Sequence, residues 1–325
     1  MKGAIGGFFE LNTDCGEPYY EGVQGLNSAR SAFAWCLQNR KIKKIFLPDF
    51  NCPAMLKVAT DLGVGVRLYN VDDRLQSQQL IDVAEDCWVL YVNYFGLQDS
   101  YISQTLLPRF KGKLILDNAQ ALFSTPISEV PTIYSPRKFI GVPDGGWLVD
   151  GYVVNGPAEQ GRSSHRCVAL LGRVEDGPEA YYSAFQAAEA SIAEEGVAGM
   201  SDITAALIAK TDLHLVSVKR VQNFTALHQS LSSFNSLFVN SESFVKGALS
   251  YPLLLDDPLL ASRLREELRA RRIYIPIYWP GLATTTAAQL SQRLLPLPVD
   301  QRYGLEDMAY IASEVRRILN YFRDW

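Results

Sequence analysis

Apolar positions in the first third of the chain switch between two periods. Residues 28–38 place Ala32, Phe33, Cys36 and Leu37 at helical spacing, and 53–62 and 101–109 read the same way. Between them stand short, mostly apolar runs at 44–47, 66–69, 88–92 and 113–116, broken only by Lys44, Arg67 and Lys113. Such runs suit strands buried on both faces. The alternation therefore predicts a mostly parallel sheet with helices on both sides, an α/β fold. Ligands of such sheets sit beyond the carboxyl ends of the strands, where Asp49, Asn93 and Asp117 fall.

The pattern changes after about residue 177. Helical periods cover 178–194, 201–212 and 214–232, followed by a strand-like stretch at 248–251. Asp257-Pro258 opens a helix with an N-cap acid and a first-turn proline, and Ala261, Leu264 and Leu268 line one of its faces. A strand is expected at 273–277. A last helix over 305–322 carries Met308, Ile311, Val315, Ile318 and Phe322 at helical spacing. These periods divide the chain into a larger domain, 1–212, and a smaller C-terminal α+β domain, 213–325.

Composition narrows the function. Of 325 residues 48% are hydrophobic and 20% charged, which fits a packed globular chain and not a disordered one. A net charge of -4 argues against broad nucleic-acid binding. Three histidines argue against a His-rich metal site, and no metal is expected. Cys15, Cys36, Cys52, Cys87 and Cys167 are widely spread, without the spacing of a zinc or redox pair. The N-terminal residues lack the apolar core of a signal peptide, and no apolar run reaches the ~18 residues of a membrane span. A cytoplasmic protein of enzyme size, in a reducing compartment, is the expectation.

Three segments carry candidate chemistry. Ser28-Ala29-Arg30 opens the first helix, where free N–H groups and the helix dipole favour an anion; a simple serine N-cap accounts for the same residues. Asp117 follows a buried strand, where an acid needs a cationic partner or hydrogen bonds, unless it caps the next turn. Lys138 stands between hydrophobic residues ahead of Gly145-Gly146; it is either a solvated surface lysine or an amine in an apolar pocket, suited to a Schiff base. Together the three segments supply a phosphate cradle, a buried acid and a reactive amine, the parts that hold pyridoxal 5'-phosphate.

Those segments, with Ile5-Gly6-Gly7-Phe8-Phe9, Pro48-Asp49-Phe50, Val92-Asn93-Tyr94-Phe95-Gly96, Asp117-Asn118-Ala119-Gln120-Ala121, Met200-Ser201-Asp202-Ile203 and Leu295-Pro296-Leu297-Pro298, resemble the DegT/DnrJ/StrS family of pyridoxal-phosphate sugar aminotransferases. The resemblance implies a PLP-transferase large domain of the aspartate aminotransferase type with a seven-stranded sheet. It implies a Schiff base at Lys138, Asp117 on the ring nitrogen and Gln120 near the ring hydroxyl. Phe50 would stack on the ring, and Ser28, Ala29 and Arg30 would surround the phosphate. The implied substrates are a keto sugar, nucleotide-linked, and an amino-acid donor such as glutamate or glutamine; the implied assembly is a homodimer. Several positions depart from the family pattern. Ile133 replaces a phosphate-binding serine, for which Ser135 is a candidate substitute, Asn93 replaces a histidine, and Val197 replaces an asparagine that reaches the neighbouring subunit. Those departures leave open a noncatalytic or altered-substrate relative on the same fold.

Overall fold

The computed structural model describes residues 5–6, 23–77, 86–152, 156–157, 159–239, 246–282 and 284–323. Of the opening segment only Ile5 and Gly6 fall within them, and Gly7-Phe8-Phe9 lies outside.

Seven strands form the central sheet: β2 (Gln24–Leu26), β3 (Lys44–Pro48), β4 (Gly65–Tyr69), β5 (Trp88–Val92), β6 (Leu114–Asn118), β7 (Thr132–Tyr134) and β8 (Gly146–Val149). Their order is β2-β8-β7-β6-β5-β3-β4, and only β8 opposes the others. The expected α/β architecture with a mostly parallel sheet is the one observed. β5 and β6 are buried at every residue, as continuous apolar runs require of interior strands. β4, at the edge, exposes Leu68.

The helical periods settle as α1 (Ala29–Asn39), α2 (Pro53–Asp61), and a composite of α3 (Asp99–Tyr101), a π-helical stretch (Ile102–Leu106) and α4 (Leu107–Phe110). Next come α5 (Val168–Asp176), α6 (Tyr182–Glu194), α7 (Asp202–Ala209) and α8 (Leu213–Leu231). The sequence pattern gave no sign of β7, β8 or α5. The two strands are only three and four residues long, too short for a period to register. The polar cluster expected on a solvent-facing loop divides. Arg162 and His165 are exposed, whereas Arg166 is buried and pairs with Glu195 at 2.8 Å.

The C-terminal elements form a second layer. β9 (Ser250–Leu254) pairs antiparallel with β11 (Leu294–Pro298), and β10 (Ile273–Tyr274) pairs parallel with β1 (Ile5–Gly6). Pro276, two residues past the end of β10, has no N–H to extend the strand toward 277. α9 (Pro258–Ala270) is capped by Asp257, and α10 (Thr285–Arg293) by Thr284. α11 (Leu305–Arg323) buries Met308, Ile311, Val315 and Ile318 against α8 and α9. Each such buried side chain contributes about 1.5–3 kcal/mol relative to exposure. Among the described residues no helix is long and apolar enough to cross a membrane.

Candidate active site

A cavity of about 400 Å³ opens between the carboxyl ends of the sheet strands and the C-terminal layer. One wall is the start of α1. Ser28 is extended (φ -161°, ψ 163°), and its hydroxyl accepts from Ser31 N at 3.2 Å, which closes the N-cap. The first turn, with Ala29 and Arg30, faces the cavity, and its N–H groups have no carbonyl within the helix to accept them. Arg30 is half-buried and makes no ion pair among the described residues. The helix start and this guanidinium together create a positive pole.

The pole exists because a turn ahead of β8 comes unusually close. Gly145 N donates to Asn27 O at 2.8 Å, and a β-carbon on Gly146 would lie 2.1 Å from the Ser28 carbonyl carbon. No residue larger than glycine fits between α1 and β8. The neighbouring Asp144 is wholly buried and supports the same corner: it accepts from Ser201 N at 3.0 Å, from Ser201 Oγ at 2.8 Å and from Thr204 Oγ1.

Asp117 and Lys138 emerge from adjacent strands. Asp117 opposes Ile133 in the β6–β7 register, and the chain leaves β7 at Tyr134 to form one turn of 3-10 helix, Pro136–Lys138. Asp117 is buried at the cavity floor and accepts from Ala119 N at 2.9 Å. Burial pushes its carboxyl above the usual range, opposed by the Lys138 cation and the Ala119 N–H. Lys138 lines the cavity but is exposed, not enclosed by apolar groups. Its turn projects into an open cleft, and among the described residues its amine has no hydrogen-bond or ionic partner. Ser135 lines the same wall, two residues beyond Ile133, which is buried inside the sheet.

Ser28, Ala29, Arg30, Asp117, Ser135 and Lys138 are thus brought to one cavity; Phe50 and Gln120 are not among its lining residues. Phe50 is wholly buried, packed 4.8 Å from the Trp279 ring and 5.7 Å from Tyr94. Cys52, two residues further on, occupies the wall instead. Gln120 turns its oxygen to accept from Phe95 N at 2.9 Å, which holds a residue in the left-handed region (φ 58°).

The sequence reading missed the far wall. Arg137 pairs with Glu189, and Arg302 pairs with Asp300 at 2.7 Å. Arg220 is wholly buried, and burial pushes its pKa down to about 10. Its position carried a signal: it follows Leu213 and Val216 on the buried face of α8, where a charge is costly without partners. With two of the five cations neutralised by these pairs, Arg30, Lys138 and Arg220 remain against Asp117. The cavity is net positive in a chain whose net charge is -4. Tyr274 and Tyr278 line it as well, while Trp279 packs on Phe50.

No protein-family model matches the chain, and no curated protein does. Solved structures do. A DegT DnrJ EryC1 StrS aminotransferase from Brucella abortus is 16% identical with a TM-score of 0.63, covering 91% of this chain and 85% of its own. NtdA from Bacillus subtilis, solved with bound cofactor PMP, is 14% identical with a TM-score of 0.65, covering 93% and 74%. Helicobacter pylori PseC, an aminotransferase involved in the biosynthesis of pseudoaminic acid, is 14% identical with a TM-score of 0.63, covering 93% and 87%. At these identities the likeness establishes the fold: this chain has the architecture of the pyridoxal-phosphate aminotransferases, along nearly its whole length.

Proposed function

We propose that the protein is a pyridoxal 5'-phosphate-dependent aminotransferase that moves an amino group from an amino acid, glutamate or glutamine, to a nucleotide-linked keto sugar. The observation that carries this reading is the convergence on one cavity of a buried acid, a helix start, and a lysine and an arginine that make no ion pair among the described residues. The residues suit the cofactor. The α1 start, Arg30 and Ser135 would take a phosphate dianion, and the close Gly146 contact keeps that cradle in place. Asp117 would accept a hydrogen bond from the ring nitrogen, and that bond would relieve the strain of its burial. Lys138 would hold the cofactor covalently and then move the proton at the substrate carbon. Bound there, pyridoxal phosphate supplies a ring that withdraws electrons from that carbon. Over a full cycle one amino acid and one keto sugar become one keto acid and one amino sugar, with no net oxidant or reductant.

Exposure of Lys138 supports a homodimer, in which a second copy covers the cleft and excludes water. The division at 212/213 is retained as a proposal, since α8 begins the elements that form the second layer. A cytoplasmic location accords with the four described cysteines being free thiols. A second reading, an altered-substrate or noncatalytic relative, draws on the placement of Phe50 in the core and of Ile133 inside the sheet.

The test is borohydride reduction of the protein with pyridoxal phosphate, followed by peptide mass spectrometry. Cofactor mass on the Lys138 peptide, and loss of the visible absorption band on adding L-glutamate, are expected. Absence of any adduct on Lys138 overturns the reading. An adduct that no amino donor converts favours the noncatalytic relative. Sugar nucleotides assayed against plain keto acids then identify the acceptor.

A further inference from the structure

One buried cation, Arg220, forms no ion pair among the described residues, and it touches the residue next to Lys138. The Arg220 guanidinium lies 4.6 Å from the Phe139 ring centroid, and its Nη2 donates to the Phe139 carbonyl at 3.3 Å. Nη1 donates to the carbonyls of Ala248 and Leu249 at 3.1 and 3.0 Å, and Nε to Gln301 Oε1 at 3.1 Å. Gln301 Nε2 returns to the same Phe139 carbonyl at 2.7 Å. All of these acceptors are neutral. Asp300 contributes to Arg220 only through its field, because its own carboxylate is taken by Arg302.

A wholly buried guanidinium without an ion pair is unfavourable, and a neutral side chain would join two helices at lower cost. What no neutral side chain offers is a planar fork that reaches three carbonyls, of Phe139 and of the Ala248-Leu249 pair, in two segments at once. We propose that Arg220 is a positioning residue: it ties the Lys138 turn to the C-terminal layer and so fixes where the lysine amine stands relative to Asp117. Phe139 O is the point of attachment. It receives one donor from α8 and one from the loop after β11, although it belongs to neither. The turn is also held by the Arg137–Glu189 pair and by burial of Phe139 and Ile140, but its own backbone hydrogen bonds are local. Lys138 N bonds Ser135 O at 3.1 Å, Phe139 N bonds Pro136 O at 2.8 Å and Ile140 N bonds Pro136 O at 3.0 Å, all within the turn.

The catalytic consequence rests on the proposed aminotransferase reading; the positioning itself does not. Hydrogen exchange of the amides at 138–140, followed by mass spectrometry, reads it on the chain alone. Arg220→Met and Arg220→Lys are each expected to speed exchange there by about 10-fold or more, because one charge-assisted hydrogen bond of that strength is lost. Lysine keeps the charge but not the fork, so it fails as methionine does. Should methionine prevent folding, the lysine variant gives the answer. Asn223→Ala is the control. Asn223 sits on the same helix and fastens it to Val299, Asp300 and Tyr303, but does not touch Phe139. It is expected to lower the melting temperature and leave the turn protected. With cofactor, Arg220→Lys is expected to lower kcat for the glutamate half-reaction more than 10-fold at nearly constant KM. The proposal is overturned if Arg220→Lys protects the turn like wild type, or if Asn223→Ala loosens it equally. If exchange behaves as expected but no cofactor attaches to Lys138, the aminotransferase reading fails and the positioning stands.

Discussion

The sharpest test of the phosphate cradle is Gly146→Ala. An added methyl would lie 2.1 Å from the Ser28 carbonyl carbon and 2.3 Å from Ala29 N. Ordinary van der Waals contact is roughly 3.5–4 Å, so the backbones must separate by more than about 1 Å. Neither side can yield easily. β8 is hydrogen-bonded between β2 and β7, and α1 is anchored by the wholly buried Ala32, Phe33 and Cys36. Overpacking against side chains costs about 1–3 kcal/mol, and against backbone the upper end or more applies. About 3 kcal/mol corresponds to a fall in melting temperature of roughly 4–5 °C for a chain of this size. The same displacement tilts the first turn of α1, with Arg30, away from Ser135. Differential scanning calorimetry reads the first effect, and titration with pyridoxal phosphate, followed by absorbance, reads the second. An alanine variant that melts within about 1 °C of wild type and binds the cofactor equally well would refute the reasoning.

Other outcomes follow from the same geometry. Asp117 has a raised pKa in the folded chain, so the fold binds its proton more tightly than the unfolded chain does. Its ionisation therefore lowers stability as pH rises from the unfolded value of 3.8 through the higher folded value. Asp117→Asn should then melt higher than wild type at neutral pH without cofactor, and should lose transamination; a lower melting point would contradict the burial argument. Asp144→Ala removes the acceptor of three buried donors and should destabilise by about 3–5 kcal/mol, seen as a lower urea midpoint. Glu179 receives Arg272 and Tyr274, which lower its pKa to about 2, with the Arg272 contact the larger cause. That stabilisation is full above its ordinary 4.5 and fades as pH falls toward about 2. Because the pair is about half exposed, Glu179→Gln should cost less than about 1 kcal/mol at neutral pH, and the loss should vanish in acid denaturation near pH 2.

Much of this architecture was legible because packing enforces periods. Strands β3, β5 and β6 sit inside the sheet, and that position demands the apolar runs seen at 45–47, 88–92 and 114–116. α11 shows its buried face as a stripe for the same reason. Where short-range order is set by contacts distant in sequence, the reading ran out. β7 and β8 are held by neighbours and not by their own composition, and Arg166 is buried because Glu195 and Ser191 meet it. Ser28, Asp117 and Lys138 share the cavity because topology alone brings strand ends and helix starts together. Phe50 does not line the cavity: the chain turns at Asn51, whose side chain accepts from Cys52 N at 2.6 Å, and Cys52, two residues on, lies in the wall. Arg220, Arg302 and Asp300 reach the cavity from the last third of the chain, and only tertiary folding brings them there.

The strand order has a consequence for synthesis. β2 lies at residues 24–26 yet takes its hydrogen bonds from β8 at 146–149, and the corner between them is braced by Ser201 and Thr204. A growing polypeptide therefore cannot complete the α1 cradle until roughly two hundred residues have left the ribosome, and non-local pairing of this kind forms slowly. Capture of the proposed vitamin B6 cofactor would thereby be confined to a late stage of folding, after the sheet's outermost partners have met.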